Sequence, residues 1–239
     1  MRVVEEVVPL RDDESPVSVG GTGWAVRSRA WEQTLRSVGY RRVAGVDEAG
    51  RGALAGPVVA AAVILPDEFS PEGVDDSKRL TPAQREDAYD RIMAGAVSVA
   101  VGLVEHGEID RVNILEATKR AMIHAVSTLQ PSPDFLLTDA VVLPCAWPLW
   151  ALIKGDRRVL PIAAASIIAK VTRDRLMIGY HEHYPAYGFA VHKGYGTPEH
   201  LASLHRFGAC AIHRRSFQPV ISAEEGAAAR VAPVADHAQ

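Results

Sequence analysis

Gly45-Val46-Asp47-Glu48-Ala49-Gly50-Arg51-Gly52-Ala53-Leu54-Ala55-Gly56-Pro57 links two apolar segments, residues 42–48 and 58–65. The second, Val-Val-Ala-Ala-Ala-Val-Ile-Leu, is apolar on both alternating faces and reads as a central strand covered on two sides. The intervening residues 50–56 are short and glycine-rich, so they return the chain as an antiparallel, hairpin-like connection. The first strand ends on two adjacent carboxylates, Asp47 and Glu48, where packing alone would place apolar residues. Carboxylate oxygens are ligands for hard cations such as Mg²⁺. Glycines let a backbone come close to a ligand, and Arg51 adds a fixed cation. Together these features point to phosphate chemistry.

Outward from this stretch the chain alternates strands and helices. Thr81-Pro82-Ala83-Gln84 carries the signature of a helix start, with Thr as N-cap, Pro at the first helical position and Gln three residues after the cap. A third, valine-rich strand is expected over 96–104. An amphipathic helix follows over 109–129, with Ile114, Ala117, Ala121 and Ala125 on one face and Pro131 and Pro133 behind it. Short strands over 135–138 and 150–153 deliver Asp139 and the Lys154-Gly155-Asp156 segment. A long helix over 163–184 begins with small residues that permit close packing, and Thr197-Pro198-Glu199 caps a last helix through Phe207. This order implies an α/β fold, a mixed sheet flanked by helices with a small C-terminal helical region. Residues 1–40 read as a partly ordered extension, with a short helix over 24–38. Residues 41–190 form the main domain, 191–219 a C-terminal helical substrate-binding region, and 220–239 a disordered tail.

The composition is that of an ordinary globular chain of 239 residues, 48% hydrophobic and 23% charged. No apolar run reaches the ~18–20 residues of a membrane span. The first ten residues carry Glu5 and Glu6 and lack a signal-peptide core. Cys145 and Cys210 are isolated, which argues for a reducing cytoplasm and against a cysteine zinc site. The net charge of −3 conceals an uneven distribution: residues 151–217 hold ten Lys/Arg against four Asp/Glu, or +6, and six of the nine histidines. Such a segment suits a polyanionic partner. The histidines have no zinc spacing; His192 and His213 are candidates to lie near substrate. Asp174 reads as an ion-pair residue that orients arginines.

Four acids fall at strand ends or a helix entrance: Asp47, Glu48, Asp139 and Asp156. Crowded carboxylates repel, and cations relieve that repulsion. Two cations roughly 3.5–4 Å apart can clamp the attacking and leaving oxygens of a phosphodiester.

The blocks GVDEAGRGALAGPVVAAAVIL, DDSKRL, IKGD, AAASIIAKVTRDRLM, YPAYGFAVHKGYGT and HRRSF, in this order over about residues 43–217, closely resemble ribonuclease HII. The resemblance implies a ribonuclease H-like fold and Asp47, Glu48, Asp139 and Asp156 as catalytic, metal-binding acids, with Mg²⁺ or Mn²⁺ as cofactor and Asp47 as the ion-bridging ligand. It implies an endoribonuclease that cuts the RNA strand of RNA–DNA hybrids and cuts 5′ to single ribonucleotides in duplex DNA, leaving 3′-hydroxyl and 5′-phosphate ends. It matches Gly50, Arg51 and Gly52 to a loop that contacts the ribose 2′-hydroxyl, and Tyr195 to a tyrosine that packs on the deoxyribose at an RNA–DNA junction. Ser77 and Lys78 match a phosphate-contacting loop, and Lys170 could reach a phosphate from the long helix. A monomer is the family-based expectation. A non-catalytic hybrid-binding module, or another two-metal nuclease on a related fold, is the alternative. Two positions depart from the family pattern: Ala140 stands where Gly usually follows the third acid, and Ala53 where Pro usually follows the GRG loop.

Overall fold

The computed structural model describes residues 5–6 and 29–223. The loop residues expected over 11–23, the first residues of the helix expected over 24–38 and the tail beyond 223 lie outside the described residues. The strands are β1 (Glu5–Glu6), β2 (Val43–Ala49), β3 (Val58–Ile64), β4 (Ser98–Val104), β5 (Phe135–Asp139) and β6 (Leu149–Leu152). The helices are α1 (Ala30–Ser37), α2 (Pro82–Gly95), α3 (His106–Val112), α4 (Ile114–Thr128), α5 (Gly155–Arg158), α6 (Leu160–His183), α7 (Phe189–His192) and α8 (Pro198–Phe207).

The strands form one mixed sheet in the order β1-β6-β5-β2-β3-β4. β3 is antiparallel to both β2 and β4, whereas β2, β5 and β6 run parallel to one another. All seven residues of β3 are buried, as its two apolar faces require. Val58, Ala60, Ala62 and Ile64 pack with Ala117, Ala121 and Ala125 of α4. Ala61 and Val63 face the opposite way, into a cluster with Leu160, Ala164 and Ile168 of α6. Burying a Val, Ile or Leu side chain contributes about 1.5–3 kcal/mol, so this double coverage anchors the sheet. Small residues let α6 lie close to it: a Cβ at Gly45 of β2 would stand 2.1 Å from the backbone carbon of Pro161.

The capping box at Thr81 is present in both directions, Gln84 N–H donating to Thr81 Oγ1 and Thr81 N–H to Gln84 Oε1. The helix expected over 109–129 is instead two. Asn113 adopts φ +73°, ends α3, and caps α4 by accepting from the N–H groups of Leu115 and Glu116. The apolar spacing runs through this break because both helices cover the same cluster. The long helix starts three residues earlier than expected, at Leu160, with Pro161 in its first turn. Of the helix expected over 24–38, the described part is α1, and Trp31 packs edge-on against Trp150 of β6.

Candidate active site

Because β2, β5 and β6 are parallel neighbours, their C-terminal ends open on one edge of the sheet, where α/β proteins commonly bind ligands. Val46 pairs with Thr138 and Asp139 with Leu152, so the register sets Asp47 beside Asp139 and the turn after β6 beside both. That turn carries Asp156 on α5. Asp47, Asp139 and Asp156 each offer a carboxylate oxygen within 4.8 Å of the others. Asp47 and Asp156 are each 5% exposed. Two left-handed residues aim this cluster, Ala140 at φ +54° directly after Asp139 and Lys154 at φ +57° before α5. Such strain in non-glycine residues gathers at functional sites. Asp139 Oδ1 accepts from Gly155 N–H at 2.8 Å, which fixes the α5 turn against the strand end.

The electrostatics are those of crowded acids. Burial, then the neighbouring Glu48 and Asp139, hold the Asp47 carboxyl well above its ordinary pKa. Burial and the Asp156 carboxylate push Asp139 up to about 6. Burial also raises Glu48, against the opposing charges of Arg51 and Lys78. Glu48 stands apart from the aspartate trio: one oxygen pairs with Arg51 at 3.1 Å, while Oε2 is buried without a hydrogen-bond partner. Buried acids that repel one another, with an orphaned carboxylate oxygen beside them, form a donor set suited to a hard divalent cation.

The loop after β2 is held from behind. Arg173 of α6, fully buried, donates to the carbonyls of Pro57 (2.9 Å), Ala55 (3.0 Å) and Lys193 (2.9 Å). Arg214, also fully buried, donates to Gly56 O (3.0 Å) and Arg51 O (2.9 Å). Neither arginine has an ion-pair partner among the described residues; their hydrogen bonds go to peptide carbonyls, and Arg214 Nη2 is buried without a hydrogen-bond partner. Burial and the charge of Arg173 bring Arg214 down to about 9. Backbone bridges complete the support: Ala53 pairs with Tyr195 and Ala55 with His213, so residues 53–56 lie between two C-terminal segments. Gly50 sits at φ +93°, against Arg173, while Gly52 is exposed with free space around it.

The remaining expected residues surround this loop. Tyr195 is half-buried, with the Arg173 guanidinium 5.3 Å and Lys170 Nζ 5.6 Å from its ring centroid. Lys170 also pairs with Asp174 at 2.7 Å. The expectation that Asp174 orients arginines is therefore corrected, since its partner one turn away on α6 is a lysine. Lys78 acts electrostatically on Glu48 and Asp139. The Ser77 hydroxyl is buried and shares a 2.9 Å hydrogen bond with Ser166 of α6. His213 is 1% exposed and bonded to His200, which places its ring behind the loop rather than on a surface. Arg173 and Arg214 escaped the sequence reading because buried arginines look like any others in a basic segment. The signal they do leave is their place in the TRD and HRRSF blocks.

Comparison with known proteins agrees with this geometry. The family model for ribonuclease HII matches residues 44–220. The ribonuclease HII of Geobacillus thermodenitrificans (strain NG80-2) is 58% identical over 202 residues, covering 82% of this chain and 78% of that protein. The ribonuclease HII of Bacillus subtilis (strain 168) is 50% identical over 197 residues, covering 82% and 77%. The crystal structure of ribonuclease H2 from Pyrococcus horikoshii OT3 is similar with a TM-score of 0.69 at 30% identity, over 77% of this chain and 98% of that one. The Mn²⁺ complex of Bst-RNase HIII, 17% identical with a TM-score of 0.64 over 88% and 76% of the two chains, shares the fold. With a matching family model over most of its length and relatives identical at half or more of the aligned positions, the chain belongs to the ribonuclease HII family of endonucleases.

Proposed function

We propose that this endonuclease hydrolyses the RNA strand of RNA–DNA hybrids and cuts on the 5′ side of a single ribonucleotide embedded in duplex DNA, leaving a 3′-hydroxyl and a 5′-phosphate. The observation that carries the reading is the convergence of Asp47, Asp139 and Asp156 within 4.8 Å at the sheet edge. Asp47, Glu48, Asp139 and Asp156 are the residues that would hold Mg²⁺ or Mn²⁺. Two such ions, when bound, supply a water of lowered pKa and neutralise charge on the departing oxygen.

The chain's own residues select and orient the strand. Gly50, Arg51 and Gly52 offer a backbone that a sugar can approach, and discrimination of RNA from DNA rests on the 2′-hydroxyl. Arg51, Lys78 and Lys170 supply charge for the phosphates, and Ser77 supports the Lys78 turn from below. The half-buried Tyr195 ring is the platform for the deoxyribose beyond the cut. The segment 191–219, bridged to residues 53 and 55 through Tyr195 and His213, serves as the substrate-binding region. Phosphate contacts position a duplex without reading its sequence, and binding weakens as salt rises. The chain is read as a monomer working in the cytoplasm: free Cys145 and Cys210 fit its reducing conditions, and no described helix is long and apolar enough to cross a membrane.

The test is a DNA duplex carrying one ribonucleotide, incubated with Mg²⁺ or Mn²⁺. Cleavage 5′ to that residue by the wild type, and its loss in Asp47→Asn, is the expected result. Cutting of an all-DNA control at the same rate refutes the specificity. Binding of a hybrid without cleavage would favour a non-catalytic binding module.

A further inference from the structure

His200 and His213 are almost completely shielded from solvent, at 0% and 1% exposure, and take no part in the chemistry above. Their four ring nitrogens are all engaged. His200 Nδ1 lies 2.9 Å from the carbonyl oxygen of Tyr195, which can only accept, so this nitrogen carries the proton. His200 Nε2 lies 3.0 Å from His213 Nε2. With His200 neutral its Nε2 is an acceptor, so His213 donates from Nε2. His213 Nδ1 is then an acceptor as well, and it receives the N–H of Cys210 at 3.0 Å with the Cys210 thiol at 3.1 Å. The tautomers form a single directed chain: Cys210 to His213, His213 to His200, His200 to Tyr195.

Two members of that chain, Tyr195 and His213, are tied to the loop after β2 through their own backbones. Tyr195 bridges Ala53, and His213 bridges Ala55 through its own backbone. Leu54 N–H donates to Gly194 O on one side, while Arg214 N–H donates to Leu54 O on the other, both at 2.8 Å. The imidazole pair therefore spans the two segments that flank residues 53–56. His192 braces the same corner, stacked on His200 with centroids 4.4 Å apart and accepting from Gly194 N–H.

We propose that His200 and His213 are positioning residues, a neutral imidazole pair that sets Tyr195 at a fixed spacing from the Gly50-Arg51-Gly52 loop and so contributes to recognition of the RNA–DNA junction. The inference rests on the reading of Tyr195 as the deoxyribose platform. An added proton anywhere on the pair sets two donors face to face, at the His200–His213 contact or at Cys210. Burial accordingly holds both rings neutral, with pKa values down to about 4. The titratable groups around the pair are His192, Arg215 and His106, each of which disfavours a positive charge on it.

Two measurements on the full chain test this. Long-range ¹H–¹⁵N correlation of the wild type should give the Nδ1–H tautomer for His200 and the Nε2–H tautomer for His213; any other assignment overturns the directed chain whether or not the protein cleaves anything. His213→Phe keeps a ring in the space but removes the donor to His200. Cleavage is compared on a single-ribonucleotide duplex and on a uniform RNA–DNA hybrid. The ratio of the two rates should fall at least roughly tenfold, the loss should be absent when Tyr195→Ala is already in place, and His213→Gln, which keeps a donor, should restore part of it. An equal fall on both substrates, or an unchanged ratio, overturns the positioning role. If the wild type cuts neither substrate, the functional reading fails, and the tautomer assignment still decides the geometry.

Discussion

The two glycines of the Gly50-Arg51-Gly52 loop should respond oppositely to the same substitution. At Gly50 the backbone has φ +93°, and an added Cβ would stand 1.9 Å from Arg173 Nε and 2.4 Å from its Cδ. Left-handed backbone costs an alanine about 1–2 kcal/mol. The methyl must also push aside a buried guanidinium that donates to three carbonyls. A hydrogen bond from a charged group contributes about 1.5–3 kcal/mol, so losing one of the three brings the total to about 2.5–5 kcal/mol. For a chain of this size each kcal/mol moves the melting temperature about 2–4 °C. Gly50→Ala should therefore melt roughly 5–20 °C below the wild type in scanning calorimetry. At Gly52 an added Cβ meets nothing within 4 Å, so Gly52→Ala should keep its stability within about 0.5 kcal/mol, while its methyl stands between backbone and sugar and lowers cleavage of the ribonucleotide duplex. Equal melting of the two variants, or a Gly50→Ala protein within 2 °C of the wild type, would refute the view that Arg173 holds this loop from behind.

Further outcomes follow from other parts of the structure. Asp47→Asn relieves carboxylate crowding, so the metal-free variant should melt above the wild type, and Mg²⁺ or Mn²⁺ should stabilise the wild type but not the variant in a thermal-shift titration. Glu32 of α1 is 2% exposed, has a buried oxygen without a partner, and is raised by burial to about 7. Its folded pKa lies above its unfolded value, so its contribution is complete below about pH 4.5 and is lost as pH rises through 7. Glu32→Gln should thus flatten stability between those limits and stabilise the protein at pH 8 by up to roughly 3 kcal/mol, as read by urea unfolding at both ends. Ala140 occupies a left-handed position, and Ala140→Gly should add about 0.5–1 kcal/mol; a loss of stability there would show the turn after Asp139 to be unstrained.

Strand periodicity made the sheet legible, because β3 must be apolar on both faces when helices cover both. Asp47, Glu48 and Asp139 could be picked out because charge at the end of a buried strand has no packing role, whereas Asp156, beside Arg157 in the α5 turn, is marked by the family resemblance. Periodicity failed at Asn113, where one residue in a left-handed conformation divides a continuous apolar face into two helices. It also carried no information on Arg173, Arg214, His200 and His213, whose burial depends on carbonyls and rings brought from distant segments. A side chain's hydrogen-bond partners cannot be read from its own neighbours when they lie more than a hundred residues away, as Pro57 does from Arg173.

The guanidinium clamp grips main-chain oxygens at residues 51, 55, 56 and 57 and ignores the side chain at 53. Substitution there should accordingly cost little, provided the replacement stays small, since Ala53 is fully buried. Alanine in place of the family's usual proline even retains an amide that donates to Gly50 O at 3.3 Å. The shape of the loop is thus held through its peptide groups, whichever small residue stands at position 53.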